Sequence, residues 1–222
     1  MKLAVLFSGG KDSTFAAWIA RSQGYTLSCL VSVISENPDS FMFHTPSILR
    51  VEKQADSMKL PLIIQETKGE KEKELEDLEA ALATAVKKYG IEGVVAGAVE
   101  SVYQASRIQR ICHKLGLECF NPLWQKDQFA LLEDLVKEGF EAVLVGVFAY
   151  PLGESFLGRK IDTKFIKEMK ELNEEYKINP AGEGGEFETF VLNCPLFKKK
   201  LEVKSFKDSG ENNSWRRELE IK

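Results

Sequence analysis

The chain alternates short, continuously apolar runs with stretches whose apolar residues recur every three or four positions. Residues 3–7 (LAVLF) are apolar throughout, as in a strand buried on both faces, and they run into Gly9-Gly10. Phe15, Ala16, Trp18 and Ile19 follow at helical spacing, and Gly24 closes that segment. Residues 27–34 predict a second buried strand, 47–58 a helix and 61–65 a short third strand. Gly69 opens a charged helix. Its Leu75, Leu78, Leu82, Ala85, Val86 and Tyr89 form one apolar stripe that ends at Gly90. The EKEKELED run on that helix is its solvated face. Residues 91–98 predict a fourth strand and 101–115 another helix, with Cys119 in a short strand beyond. Alternation of this kind builds a parallel sheet with helices on both faces.

Beyond Pro122 the pattern loosens. Residues 127–138 are helical, 142–149 strand-like, and 162–176 helical with Phe165, Met169, Leu172 and Tyr176 turned inward. A Gly- and Glu-rich turn precedes a strand at 187–192, and the polar stretch from Lys207 reads as a tail prone to fray. No repeat or low-complexity linker marks the boundary. The change of pattern puts it near 120–125, dividing the chain into 1–122 and a smaller α/β domain at 123–222.

Composition narrows the functional class. With 222 residues, 44% of them hydrophobic, the chain buries a sizeable core and is not disordered. No apolar run approaches the roughly 18 residues that span a bilayer, and the first residues lack the cleavage site of a signal peptide. A net charge of −4 argues against a general nucleic-acid binder. Cys29, Cys112, Cys119 and Cys194 form no C-x-x-C pair, and with only His44 and His113 no tetrahedral zinc set can be written. Buried thiols in a reducing, cytoplasmic setting fit best.

The chemistry starts at Ser8-Gly9-Gly10-Lys11-Asp12-Ser13, between the first strand and the first helix. Glycines let the backbone turn with positive φ and approach a ligand closely. Successive N–H groups and the helix N-terminus then make an anion site, to which Ser8 and Ser13 add hydroxyls and Lys11 a charge. The string is not a Walker loop, because Lys11 is followed by Asp12 and the first glycine of that motif is missing. Two further clusters stand out. Residues 182–189 (GEGGEFET) hold three acids, and a strand there would set Glu186 and Glu188 on one face with Phe190 and Leu192. Carboxylates beside apolar side chains call for a cationic partner. Residues 97–107 (GAVESVYQASR) lie where a strand ends and a helix begins, the usual ligand position in an open α/β sheet. Tyr103 and Arg107 are an i, i+4 pair there.

The SGGKDS string resembles the phosphate loop of N-type ATP pyrophosphatases. Taken with MFHTP at 42–46, GAVESVYQASRIQRIC at 97–112, NPLW at 121–124 and EGGEFETFVLNCPLF at 183–197, the chain resembles the diphthine–ammonia ligase (diphthamide synthase) family along its whole length. The resemblance implies a Rossmann-like nucleotide domain at 1–122 and a C-terminal domain shaping an acceptor site. It implies ATP and Mg²⁺ as cofactors. The carboxylate of diphthine on translation elongation factor two would be adenylated, with pyrophosphate released, and ammonia would then displace AMP. Ser8, Gly9, Gly10, Lys11, Asp12 and Ser13, with His44 and Gly97, would hold ATP. Glu100, Tyr103, Gln104, Arg107, Glu183, Gly185, Glu186, Glu188 and Thr189 would bind substrate, and Lys11, Asp12, Glu186 and Glu188 would serve catalysis. Asn193 stands where the family usually has Asp, which removes one carboxylate.

Phe187 and Phe190 suit the trimethylammonium group of diphthine, so Glu186→Gln is expected to weaken acceptor binding and spare ATP affinity. Without the nucleophilic Cys of a glutaminase, the nitrogen donor is expected to be free ammonium. The expected partners are the elongation factor and ammonium, with no direct nucleic acid and no membrane, and a homo-oligomer stays open. Two rivals are a tRNA-modifying enzyme on the same loop, which would carry cysteine pairs or basic modules, and a non-catalytic nucleotide-binding regulator, which would not need the acids at 183–188.

Overall fold

The computed structural model of the chain describes residues 1–35, 48–70 and 72–222, with Ile48 and Leu49 described by their backbone alone. It divides into two units. One comprises Met1–Ser8 and Asp12–Trp124, the other Gly9–Lys11 and Gln125–Lys222.

In the first unit, β1 (Lys2–Leu6), β2 (Thr26–Ser35), β3 (Leu62–Thr67), β4 (Gly93–Val95) and β5 (Glu118–Phe120) form one sheet in the order β3-β2-β1-β4-β5. Every pairing is parallel. The connecting helices are α1 (Lys11–Ser22), α2 (Ile48–Met58), α3 (Glu74–Tyr89) and α4 (Val102–Lys114). Alternation along the strands splits their side chains between two faces. Ala4, Val31, Val33 and Val94 pack with Leu75, Leu78 and Leu82 of α3 and Ile108 and Ile111 of α4. Leu3, Val5 and Leu30 turn the other way and are buried too, as are Phe15, Ala16 and Ala20 of α1 and Val51 and Ala55 of α2. The strand order reverses direction between β1 and β4, and ligands in such sheets bind at the carboxyl ends on either side of that reversal.

Element ends follow local chemistry. Ser101 caps α4 by accepting the Gln104 N–H at 3.3 Å. Gly90 closes α3 with φ of 60°, its N–H donating to the Val86 carbonyl. The charged helix begins at Glu74, later than the opening expected at Gly69, and β4 is shorter than the apolar run at 91–98. Gly93–Val95 pairs in register with Leu3–Val5 on one side and 118–120 on the other, and single backbone hydrogen bonds from Glu92 to Lys2 and from Ala96 to Phe120 end the ladder.

The second unit holds α5 (Gln128–Lys137), β6 (Glu141–Val147), α6 (Thr163–Tyr176), β7 (Phe187–Asn193), β8 (Val203–Glu211) and β9 (Ser214–Ile221). Its sheet has the order β7-β6-β9-β8 and is antiparallel throughout. Val143, Val145, Phe190, Leu192, Leu201 and Leu219 make one apolar cluster. Phe187 meets Phe165 of α6 edge to face, with ring centroids 5.9 Å apart. The expected tail from Lys207 is corrected here, because 203–221 is a β-hairpin. Its β8 strand is exposed along almost its whole length, so no apolar alternation announces it. What holds it is pairing with β9, whose Trp215 and Arg216 pair with Val147 and Gly146 of β6.

Candidate functional site

The phosphate-loop string sits where its pattern placed it, at the carboxyl end of β1 and the start of α1. In the first unit, the Ser8 N–H donates to Ser13 Oγ at 3.2 Å, and the two hydroxyl oxygens lie 3.1 Å apart. The Ser32 hydroxyl donates to the Phe7 carbonyl at 2.6 Å, tying the end of β1 to β2. Gly97, just past β4, has a packing role there. A Cβ on it would sit 2.7 Å from the backbone carbon of Asp12 and the nitrogen of Ser13, so only glycine lets the start of α1 lie this close. Gly9 turns the loop with φ of 79°, which glycine adopts at no steric cost.

The tip of that loop belongs to the second unit, and its environment is specific. The Lys11 N–H donates to Thr189 Oγ1 at 3.0 Å, and the Val191 N–H donates to the Gly9 carbonyl at 3.1 Å. The Lys11 ammonium lies 3.5 Å from Glu183 Oε1 and 5.8 Å from the centroid of the Phe187 ring. The Lys11 side chain is only 4% exposed and that of Glu183 14%. A charge so buried is costly unless paired, and Glu183 supplies the pair. Lys11 therefore meets Glu183 and Thr189, both more than 170 positions away in sequence.

Glu186, expected at the acceptor side, is tied into the turn that precedes it. It precedes β7, and its carboxylate accepts the N–H groups of Asn179 at 3.1 Å and Gly184 at 2.9 Å. A Cβ on Gly184 would lie 2.7 Å from Glu186 Oε1, so a larger residue there would push the carboxylate aside. Gln128, buried at the start of α5, continues this scaffold. Its Nε2 donates to Asn179 Oδ1 at 2.7 Å, and its Oε1 accepts the Ala181 N–H at 3.0 Å. Gln128 and Asn179 carry no motif of their own, and the only hint of Asn179 was a polar residue before Pro180 in a glycine-rich turn.

The late motif is divided by the strand itself. Glu188 pairs in register with Gly146 and alternates to the face of Phe190 and Leu192, whereas Thr189 alternates to the face of Phe187 and Lys11. Gly185 is exposed in the preceding turn. The two phenylalanines do not form an open cage for a quaternary cation. Phe187 and Phe190 are buried, the first between Phe165 and Lys11, the second in the apolar cluster.

On α4 of the first unit, Tyr103 and Arg107 meet as their spacing predicted, with the guanidinium carbon 3.5 Å from the Tyr103 ring centroid. Both hold Glu72, a residue that sequence reasoning had assigned only to the solvated charge run. Arg107 Nε donates to Glu72 Oε1 at 2.9 Å, Tyr103 Oη donates to the same oxygen at 3.2 Å, and Arg107 Nη2 donates to it as well. The Arg107 contacts hold the Glu72 carboxyl below the usual carboxylate range, while burial raises the Tyr103 phenol. Gln104 lends its N–H to the Ser101 cap, and Glu100 is exposed just before the helix. His44 lies outside the described residues.

Among the described residues no group of three or more His, Cys, Asp or Glu side chains is placed to hold a metal ion, and no helix is long and apolar enough to cross a membrane. All four cysteines are free thiols, and burial pushes those of Cys29 and Cys194 up to about 12.

Two family models match the chain, the diphthamide synthase N-terminal domain over residues 1–119 and the diphthamide synthase C-terminal domain over 127–220. The human diphthine–ammonia ligase is 33% identical over 224 residues, covering 92% of this chain and 84% of its own length. The zebrafish (Danio rerio) protein of the same name is 34% identical, covering 90% and 86%. The fission yeast (Schizosaccharomyces pombe) diphthine–ammonia ligase is 34% identical over 96% of this chain, but the chain spans only 38% of that longer protein. A solved structure from Methanocaldococcus jannaschii, described as a predicted subunit of tRNA methyltransferase, covers 90% of the chain at 18% identity. Its TM-score of 0.43 makes that likeness too distant to bear on the assignment. With both halves matched and the human and zebrafish relatives covered over 84% and 86% of their length, the chain belongs to the diphthamide synthase family.

Proposed function

We propose that the chain is a C–N bond-forming ligase, a diphthine–ammonia ligase that uses ATP to amidate diphthine on translation elongation factor two. Ser8–Ser13 takes the β- and γ-phosphates, which leaves the α-phosphate open to attack by the diphthine carboxylate. Pyrophosphate leaves as the acyl–adenylate forms. Ammonia then attacks the acyl carbon, the amide forms and AMP departs with the C–O bond electrons. Residues 1–122 carry the nucleotide and 123–222 shape the acceptor site.

The observation that supports this best is the environment of Lys11. The residue whose charge would meet the departing phosphates is held through its N–H by Thr189 and through its ammonium by Glu183, both in the motif that distinguishes this family. Stabilising the charge that develops on a leaving group from a fixed, water-poor position is an effective form of electrostatic catalysis. Glu183 and Glu186 are then positioning residues, the first for Lys11 and the second for the turn carrying Glu183. Glu188, on the other face of β7, would act on the acceptor side.

Mg²⁺ is the group this chemistry needs. A divalent ion at a nucleotide takes one or two carboxylates and the phosphates themselves in preference to a full protein cage. Asp12, in the first turn of α1 beside the loop, offers a carboxylate that fits such a donor set. Bound there, Mg²⁺ would neutralise phosphate charge.

The test is the nucleotide product. ATP, ammonium and an elongation factor bearing diphthine should together give AMP and pyrophosphate, and omission of either ammonium or the acceptor should abolish amide formation. ADP as the product, or binding of ATP without turnover, would refute the ligase reading. Glutamine replacing ammonium at equal concentration would overturn the choice of nitrogen donor.

A further inference from the structure

Three hydrogen-bond donors converge on one carboxylate oxygen in the first unit. Tyr103 Oη, Arg107 Nε and Arg107 Nη2 all donate to Glu72 Oε1, and Arg110 Nη2 lies 3.7 Å from Glu72 Oε2. The guanidinium is stacked on the Tyr103 ring, and this fixes the plane of its donors. A planar fork with an added hydroxyl is what a carboxylate ligand requires. The exposures run opposite to a plain structural bridge. Arg107 is 25% exposed, whereas the acid it holds is 48% exposed and sits on a residue with φ of 68°, a backbone that few L-residues adopt. The donors are the better-seated partners, and the acid lies over them.

We propose that Tyr103 and Arg107 form a carboxylate-binding clamp and that Glu72 is its internal occupant, displaced when the substrate carboxylate arrives. The inference rests on the ligase reading for the identity of that carboxylate, and on the geometry alone for the clamp. Displacement is within reach of a ligand, because an ion pair this exposed contributes little and its acid returns readily to water. The exchange leaves the charge at the clamp unchanged, one carboxylate replacing another. It also gives the acidic residue before α3 a purpose that a solvated charge run lacks. Occupied by Glu72, the clamp discriminates against weak anions, because any ligand must compete with an acid of high local concentration.

Sodium acetate titrated at constant ionic strength into the wild-type protein and Glu72→Gln, with the Arg107 Nε–H followed by ¹⁵N NMR, tests this directly. The variant keeps the side-chain shape and removes the competing charge. Acetate should shift the resonance at roughly two- to fivefold lower concentration in the variant, the range that the loss of an exposed ion pair allows. In turnover, KM for the diphthine-bearing elongation factor should fall by a similar factor while KM for ATP stays where it was. Acetate acting at equal or higher concentration in the variant would overturn the proposal and make Glu72 a positioning residue. So would a change in KM for ATP alone, or inorganic phosphate competing as well as acetate, since either would make the clamp a phosphate site. If the wild-type protein formed no AMP with that acceptor, the ligase reading would fail, and the acetate titration would still decide the clamp.

Discussion

Single residues in the late motif do work that their spacing in the sequence does not announce. Glu186 was expected from its place in GEGGEFET to meet the acceptor, with Glu186→Gln sparing ATP. The structure has its carboxylate holding the Asn179 and Gly184 N–H groups, in the turn that carries Glu183 to Lys11. Glu186→Gln offers one acceptor oxygen where two N–H groups were bound, so the turn loses one of the two hydrogen bonds that fix it. The expected outcome is therefore a loss of ATP affinity as well as acceptor affinity, measured by calorimetric titration of ATP. ATP affinity equal to that of the wild type would show that the turn is not coupled to Lys11. Glycines, acids and a threonine stood out as a cluster from composition and spacing. Their division of labour was not, because alternation along β7 and the hydrogen bonds of the turn decide which oxygen faces which donor.

Among the elements, the hairpin of β8 and β9 is the one that the hydrophobic pattern missed. Its outer strand exposes both faces, with Phe206 57% exposed, so the period-two signal of a half-buried strand is absent. Cross-strand pairs replace it. The Arg217 guanidinium donates to both Asp208 oxygens, at 2.7 and 2.6 Å, and lies 3.9 Å from the Phe206 ring centroid. Leu219, buried with Val143, Val145 and Phe190, anchors the hairpin in the core, and Ile221 packs against the same cluster. Leu219→Ala is expected to cost about 2–5 kcal/mol, the range for truncating a buried leucine. A urea titration measures it, and a loss near zero would mean that the segment is the tail its composition suggested. Elsewhere the pattern sufficed. The central parallel strands carry long apolar runs and the helices are amphipathic, so the first unit could be read before its pairing was known.

At the scale of the whole molecule, surface carboxylates set the response to acid. Hydrogen bonds from Lys200, Arg159 and Lys204 hold Glu141, Glu168 and Glu220 below the usual carboxylate range. Each folded value lies below the unfolded one. The stability these groups contribute is thus present above the ordinary glutamate range, near 4.3, and is lost as pH falls through the depressed folded values. Unfolding midpoints in urea should be flat in these groups near neutrality and decline below about pH 4.5. Glu141, which Lys160 and Lys200 both reach, should carry part of that decline, so that Glu141→Gln flattens it. Sodium chloride at 1 M should weaken the same effect by screening. A decline of equal size in the variant would remove Glu141 from the account.

The sequence by itself determined the parallel α/β unit, the glycine turn between its first strand and first helix, and the family, because strand burial, helical periodicity and short glycine motifs are local properties. Tertiary structure alone decided three further matters. It brought Thr189 and Glu183 to Lys11, turned Glu188 away from both, and laid Glu72 across Tyr103 and Arg107. Each depends on strand register or on a contact between residues 31 or more positions apart. Local patterning carries no information about such contacts, since the pairing that creates them is selected by packing over the whole unit.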